Sequence, residues 1–103
     1  MYFVYVNELR FEWDNAKAAA NRRKHGVDFH EAMTCFEDDE ALCIPDPDHS
    51  IGEERFVLIG LSNALRPLVV IHCEREGGRV LRIISARKAD RVERASYAAQ
   101  SQP

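Results

Sequence analysis

Three apolar, strand-like runs that follow one another closely constrain the fold of this chain most. They span residues 55–62, 67–74 and 79–85, and four residues separate each run from the next. Connections this short, the second of which ends in Gly77-Gly78, are typical of hairpins. Consecutive hairpins produce an antiparallel meander. The C-terminal half is therefore predicted to contain the centre of an antiparallel sheet.

Two strands and a helix are predicted before this meander. Residues 1–6 are rich in aromatic and β-branched residues, and residues 9–13 alternate between apolar and polar side chains, as strands do. Asp14 is a suitable N-cap for a helix over residues 15–25. Gly26 can adopt the left-handed conformation that often ends a helix.

A second, shorter helix and a further strand are predicted next. Asp28 and Glu31 have the spacing of a capping box, and the apolar residues that follow fall on one helix face: Phe29, Ala32, Met33 and Phe36. Residues 41–44 form a short strand pattern that stops before a proline.

These elements together predict one α+β domain over residues 1–103. It contains two N-terminal helices, an antiparallel sheet of about four to six strands, and a C-terminal helix over residues 86–99. Residues 46–54 are expected to form a polar loop, and residues 101–103 a frayed tail.

The stretch from Val80 to Arg94 carries arginines where the last strand is predicted to lead into the last helix. Arg82 lies within the strand and Arg87 at its exit. A guanidinium in an apolar strand is costly to bury without an anionic partner. That partner is either a phosphate, which a helix N-terminus would also favour, or a carboxylate of the same chain such as Glu74. Strict alternation places Arg82 and Arg87 on opposite faces, so they meet only if the strand twists, bulges or turns.

The charge distribution allows a basic surface on an acidic protein. The net charge is −3, yet residues 28–54 contain ten acidic residues and no lysine or arginine, whereas residues 75–94 contain seven basic residues. Such segregation permits a basic face. No apolar run is long enough to cross a membrane, and the N-terminus lacks the features of a signal peptide. We therefore expect a cytoplasmic protein.

Several motif classes are missing from the sequence. The cysteines at 35, 43 and 73 are widely spaced, which disfavours a disulfide framework or a zinc ribbon and predicts free, buried thiols. The histidines at 25, 30, 49 and 72 have no HExxH spacing, and there is no phosphate-binding glycine loop or serine-triad signature. No metal site and no cofactor are expected.

Two pairs of residues are candidates for proton transfer. Lys24 and His25 end the first predicted helix, where an imidazole can exchange a proton near neutral pH or simply cap the helix. His72 and Glu74 alternate within a predicted strand and therefore share a face. They are either a base with its orienting carboxylate or two solvated residues.

Several blocks of sequence occur in the order seen in BrnT-like toxins. They are Phe11-Glu-Trp-Asp14, Asn21-x-x-Lys-His-Gly-Val27, Asp48-x-x-x-Gly-Glu-Glu-Arg55 and Arg82-Ile-Ile-Ser-Ala-Arg-Lys-Ala89. The chain resembles this family over residues 10–97, and residues 1–9 look like an N-terminal extension. The resemblance implies a RelE-like fold and a type II toxin that cuts RNA without metal. In that reaction a base removes the proton of a 2′-OH, which attacks its own phosphodiester.

The resemblance also implies roles for individual residues. It implies phosphate binding and transition-state stabilisation by Arg82 and Arg87, with Arg55 as a third phosphate contact. The implied candidates for proton transfer or substrate positioning are Lys24 and His25, with Glu74 as a weaker base. The residues expected to contact RNA are Trp13, Lys88 and Tyr97, although Trp13 could belong to the core and Tyr97 could merely pack.

The implied partner is a BrnA-like antitoxin whose DNA-binding half has a ribbon-helix-helix fold. Operator DNA would then be contacted only through the antitoxin, and the acidic segment 28–54 could dock on a basic antitoxin surface. The alternative is a non-catalytic protein- or nucleic-acid-binding module on the same scaffold. Convergence of Arg55, Arg82 and Arg87 with Lys24 or His25 in one cleft would favour the enzyme.

Overall fold

A computed structural model describes residues 1–49 and 52–101 of the chain. These residues form six strands and three α-helices, which follow one another along the chain in the order β1 (Tyr2–Val6), β2 (Leu9–Trp13), α1 (Asn15–His25), α2 (Phe29–Thr34), β3 (Leu42–Pro45), β4 (Glu54–Leu61), β5 (Pro67–Arg75), β6 (Val80–Lys88) and α3 (Arg91–Ser101). The predicted loop over residues 46–54 includes residues 50 and 51, and the predicted tail includes residues 102 and 103. These positions lie outside the described part of the chain.

The strands form one mixed sheet in the order β1-β2-β6-β5-β4-β3. The meander β4-β5-β6 is antiparallel as predicted. The prediction of a wholly antiparallel sheet is wrong because β2 runs parallel to β6. The chain between these strands contains α1, α2 and the strands β3 to β5, and a connection of that length allows parallel neighbours. Residue periodicity carries no signal for that choice.

The two faces of the sheet are covered differently. The larger core lies under α1 and α2, and its buried members include Phe11, Phe29, Val70, Leu81 and Ile83. A smaller cluster lies on the other face under α3, and it contains Ile59, Val69 and Ala89 with Tyr97 packed against them.

The three cysteines are free, and two of them are buried as expected. Cys35 and Cys73 are the buried pair, whereas Cys43 is exposed because it lies on β3, the outermost strand at one end of the sheet. The expectation of a buried thiol is therefore wrong at this position. No helix in the described residues is long and apolar enough to cross a membrane.

The predicted caps of the first two helices are largely confirmed. The backbone N–H of Lys17 donates to Asp14, and Gly26 ends α1 with a φ of 69°. Asp28 caps α2 by accepting from a backbone N–H. The predicted capping box is half wrong, since the carboxylate of Glu31 binds Arg66 instead of turning back to Asp28.

The start of the last helix differs from the prediction. Ala86 and Lys88 continue β6 and pair with β5, and α3 begins at Arg91. Its first turn is fixed by a reciprocal pair, in which Glu93 N donates to Asp90 Oδ1 at 2.8 Å and Asp90 N donates to Glu93 Oε1 at 2.8 Å. This is a capping box, and the Asp-x-x-Glu spacing was its sequence signal.

Helix α1 is tied to the edge of β6 by one buried amide. The register of β2 with β6 runs from Arg10↔Val80 to Glu12↔Arg82, short of Ala86. At Ala86, the side-chain amide of Asn21 makes the hydrogen bonds that the backbone of a neighbouring strand would otherwise make. Its Oδ1 accepts from Ala86 N at 3.1 Å, and its Nδ2 donates to Ala86 O at 2.8 Å and to Val27 O at 3.1 Å.

We expect Asn21→Ala to lower the free energy of unfolding by roughly 2–4 kcal/mol, because several buried backbone groups would lose their partner. Urea denaturation followed by circular dichroism measures this change. The control Asn15→Ala, at an exposed position of the same helix, should change stability by less than about 0.5 kcal/mol. Equal effects of the two substitutions would contradict the role given to Asn21.

Candidate active site

A β-bulge in β6 brings the two predicted arginines to one face of the sheet. His72 pairs with Ile83, but the preceding residue of β5, Ile71, pairs with Ser85, so Ile84 is an extra residue in β6. An extra residue reverses the alternation of the side chains that follow it. Arg82 and Arg87 consequently lie on the same face, which strict alternation forbade.

The third predicted arginine joins this face from β4. Arg55 pairs with Cys73, and Cys73 pairs with Arg82. Paired residues on neighbouring strands point to the same face. We call the sheet face that carries Arg55, Arg82 and Arg87 the arginine face. The small cluster under α3 also lies on this face, because Val69 of that cluster pairs with Arg87.

Arg82 is held by a carboxylate that sequence reasoning missed. Its Nη1 lies 3.6 Å from Oε2 of Glu12, whose other oxygen lies 3.5 Å from Arg75 Nη1. Glu12 is 4% exposed and neighbours Arg82 in the parallel register. Glu74, the partner considered from sequence, lies on the opposite face because it pairs with Leu81 of the main core. The pairing of β2 with β6 was the missing information.

Arg87 is held by the first turn of α3. Its two Nη atoms donate to the two carboxylate oxygens of Glu93, each at 2.7 Å. These hydrogen bonds raise the pKa of Arg87 and lower the pKa of Glu93. The sequence left open whether the anionic partner of these arginines is a phosphate or a carboxylate of the same chain. Within the structure, both Arg82 and Arg87 contact a carboxylate of the chain.

Lys24 and His25 lie beside the bulge. Both line a shallow surface cleft together with Ile84 and Ser85 of β6. Lys24 is exposed and His25 is half-buried. Ser85 follows the bulge, and its side chain lies on the arginine face at a position between those of Arg82 and Arg87 along β6. The end of α1 therefore adjoins the arginine face at the edge of β6.

His72 and Glu74 share a face, as alternation predicted, but it is the helix-covered face. His72 is 1% exposed, so the expectation of a solvated histidine is wrong. Its ring stacks on Phe56 and meets Phe36 edge-on, and its Nε2 lies 3.2 Å from Glu74 Oε2. Burial lowers the pKa of His72, and Glu74 opposes that shift. This pair is separated from the arginine face by the sheet.

The three residues expected to contact RNA are scattered. Trp13 is 2% exposed and is stacked on Tyr2 at a centroid distance of 4.7 Å, so its ring belongs to the core. Tyr97, on α3, packs against the small cluster and donates to Asp38 Oδ2 at 2.7 Å, which raises the pKa of Tyr97 to about 12. Lys88 is exposed at the end of β6, and alternation places it on the face opposite Arg87.

Part of the acidic segment folds back onto basic residues. Ion pairs join it to the rest of the chain at Glu31–Arg66, Glu53–Arg75 and Asp28–Arg22. Asp38 is also structural, since it accepts from Leu61 N at 2.8 Å and from Tyr97. The acidic residues that follow it, Asp39 and Glu40, have exposed side chains.

Comparisons with known proteins point to one family. The family model described as the ribonuclease toxin BrnT of type II toxin–antitoxin systems matches residues 13–93. The crystal structure of the Brucella abortus ribonuclease toxin BrnT, at 1.1 Å resolution, is similar at 29% sequence identity and a TM-score of 0.60. The similarity covers 79% of this chain and 96% of that one. None of the curated proteins compared with the chain matches it.

We expect the contribution of Glu93 to stability to depend on pH. Hydrogen bonds from Arg87 hold the pKa of Glu93 below its ordinary value of 4.5. The carboxylate therefore stabilises the folded chain fully above that pH, and less as the pH falls through the lowered pKa. Glu93→Gln should cost up to about 1 kcal/mol near pH 7, and the difference from wild type should shrink towards acidic pH.

Chemical denaturation between pH 3 and pH 7 measures this difference. Glu8→Gln, at an exposed turn position, serves as the control and should give a small difference at every pH. A pH-independent cost of Glu93→Gln would contradict the ionic role of Glu93.

Proposed function

Since this chain belongs to the BrnT family of ribonuclease toxins of type II toxin–antitoxin systems, we propose that it is an endoribonuclease that cuts RNA without a metal ion. Cleavage would take place in the cytoplasm and would inhibit translation and growth. On this proposal residues 1–103 form one RelE-like domain, in which residues 1–9 are an extension. The observation that carries the proposal is the arginine face, since Arg55, Arg82 and Arg87 share one face of the sheet.

The arginines are proposed to bind the scissile phosphate and to stabilise the transition state. Attack by the deprotonated 2′-oxygen forms a 2′,3′-cyclic phosphate and breaks the bond from phosphorus to the 5′-oxygen, which leaves as a hydroxyl after taking a proton from water. In the transition state, additional negative charge lies on the non-bridging phosphate oxygens. Guanidinium groups fixed beforehand stabilise this charge without reorganising during the reaction. Glu93 supplies that fixation for Arg87 through two hydrogen bonds, and Glu12 lies at ion-pair distance, 3.6 Å, from Arg82. An RNA phosphate would add to these ion pairs or displace them.

Proton transfer is assigned to the end of α1. His25 is proposed to accept the proton of the 2′-OH, because an imidazole exchanges protons near neutral pH and His25 lines the cleft that reaches Ser85. Lys24 is proposed to position the substrate from the same cleft. Glu74 and Trp13 are left out of the proposed set, since one lies on the opposite face and the other in the core.

A second candidate function is a non-catalytic binding module. The observation that favours it is that Arg82 and Arg87 already have carboxylate partners, as arginines in purely structural ion pairs do. A protein of this kind would bind the antitoxin or a nucleic acid and cut no RNA.

We expect purified, antitoxin-free protein to cleave RNA in the presence of EDTA, and Arg82→Ala to reduce the cleavage rate about 10²- to 10³-fold. Arg55→Ala should act in the same direction. Arg82→Lys should also be impaired, because an ammonium does not reproduce the planar donors of a guanidinium. Gel analysis of a labelled RNA, with and without ribosomes, measures these rates.

Arg22→Ala is the control, since this exposed arginine of α1 pairs with Asp28 on the helix-covered side, and its cleavage rate should match wild type. Circular dichroism verifies that each variant folds. If no RNA is cut under any of these conditions, the binding module is the better account. If cleavage needs a divalent metal, the proposed mechanism is wrong.

A protein antitoxin is the partner that the family implies. We propose that it is BrnA-like, with a ribbon-helix-helix half through which the complex contacts operator DNA. Its contact with the toxin is proposed to include the exposed acids Asp39 and Glu40. Asp38 is left out of this surface because it already holds Leu61 and Tyr97.

Reversing both charges in Asp39→Lys/Glu40→Lys should weaken antitoxin binding at least about tenfold, since like charges across an interface repel. Biolayer interferometry with the antitoxin encoded beside the toxin measures the affinity. Glu8→Lys, which changes an exposed acid outside residues 28–54, is the control and should bind as wild type does. Unchanged affinity in the double variant would remove the acidic segment from the interface.

A further inference from the structure

Three side chains with metal-binding atoms converge on the helix-covered face. Cys43 comes from β3, and His72 and Glu74 come from β5. One ligand atom from each lies within 4.8 Å of the other two. We call these residues the Cys–His–Glu triad. The triad and the arginine face lie on opposite sides of the sheet. Successive side chains of β5 alternate between the two faces, and Cys73, which lies between two triad members in the chain, pairs with Arg55 and Arg82.

Two of the three ligand atoms already have the spacing that a tetrahedral metal requires. Zn²⁺ binds imidazole nitrogen and carboxylate oxygen at about 2.0–2.1 Å, so two such ligands in a tetrahedral site lie about 3.3 Å apart. His72 Nε2 and Glu74 Oε2 are 3.2 Å apart. Only a small movement of the Cys43 side chain is then needed to complete three ligands.

His72 is fixed in position. It is 1% exposed, and its ring is held between Phe36 and Phe56. Its Nε2 faces Glu74, so the ligand atom already points towards the other members of the triad.

Cys43 provides the soft ligand and the route of entry. It is exposed on the edge strand, so an ion can reach the triad from solvent and a water molecule can occupy a fourth position. A thiolate with an imidazole and a carboxylate is a ligand set typical of Zn²⁺ rather than of Mg²⁺ or Ca²⁺.

We propose that Cys43, His72 and Glu74 bind one Zn²⁺ ion, which ties the edge strand β3 to β5 across β4. The ion would stabilise this end of the sheet and would take no part in chemistry at the arginine face. The proposal is independent of the proposed ribonuclease activity. Binding of the metal displaces the Cys43 proton, so affinity should fall as the pH is lowered.

Cobalt titration of the untagged, RNA-free chain tests this proposal. Co²⁺ in a thiolate-containing site gives a sulfur-to-metal absorption band in the near ultraviolet, and we expect that band to saturate at one Co²⁺ per chain. Zn²⁺ should then displace Co²⁺ and abolish the band. At 100 times its dissociation constant, Zn²⁺ should raise the Tm by about 10 °C or more.

Three variants make the assignment specific. Cys43→Ser should abolish the band, and Glu74→Gln should weaken Co²⁺ binding at least about tenfold. Cys73→Ser is the matched control, since the Cys73 side chain points to the face opposite the triad although Cys73 is its neighbour in sequence. This variant should keep both the band and the Tm increase. A missing band in the wild-type chain, or a band that survives Cys43→Ser, would overturn the proposal. His72 is not substituted, because removing a buried ring risks unfolding the chain.

Discussion

The site depends on the hydrogen bonds between the Asn21 amide and the edge of β6. A strand edge exposes an alternating row of N–H and C=O groups that must find partners. Asn21 satisfies both backbone groups of Ala86 and also holds Val27 O beyond the end of α1. One side chain therefore fixes the helix against the strand. This attachment places Lys24 and His25 beside Ser85 and the arginine face.

The arginine face shows how an acidic chain can contain a cationic site. Each of the two arginines on β6 is oriented by a carboxylate from another element, Glu12 from β2 for Arg82 and Glu93 from α3 for Arg87. The ion pair with Glu12 reduces the cost of partly burying Arg82, and the two hydrogen bonds to Glu93 fix the direction of Arg87. Any phosphate that binds here must compete with carboxylates already present. The proposed ribonuclease needs an RNA phosphate to share or displace these carboxylates, whereas the proposed binding module cuts no RNA.

The alternation of side chains along β5 places the proposed metal site and the proposed RNA-binding arginines on opposite faces of one sheet. His72 and Glu74 point to the helix-covered face, where Cys43 approaches from β3. Cys73 points the other way, into the row of Arg55 and Arg82. Residues 72 and 74 therefore belong to the proposed metal site, whereas residue 73 lies on the opposite face, although the three are adjacent in the chain. On these proposals, metal binding and RNA cleavage can be measured independently.

The sequence alone determined the features whose causes are local. Asp14 and Gly26 mark the two ends of α1, because capping depends on residues within one turn of the helix end. The short connections between strands specified the antiparallel meander. Tertiary structure decided the parallel pairing of β2 with β6, the bulge at Ile84 and the partners of Arg82 and Arg87. It also brought Cys43 to His72 across β4. The pairing of β2 with β6, the contact of Arg82 with Glu12 and the approach of Cys43 to His72 join segments far apart in the chain. The bulge and the contact of Arg87 with Glu93 depend on how neighbouring elements pack. Alternation within a single strand contains no information about which neighbour it will meet or where its register will shift.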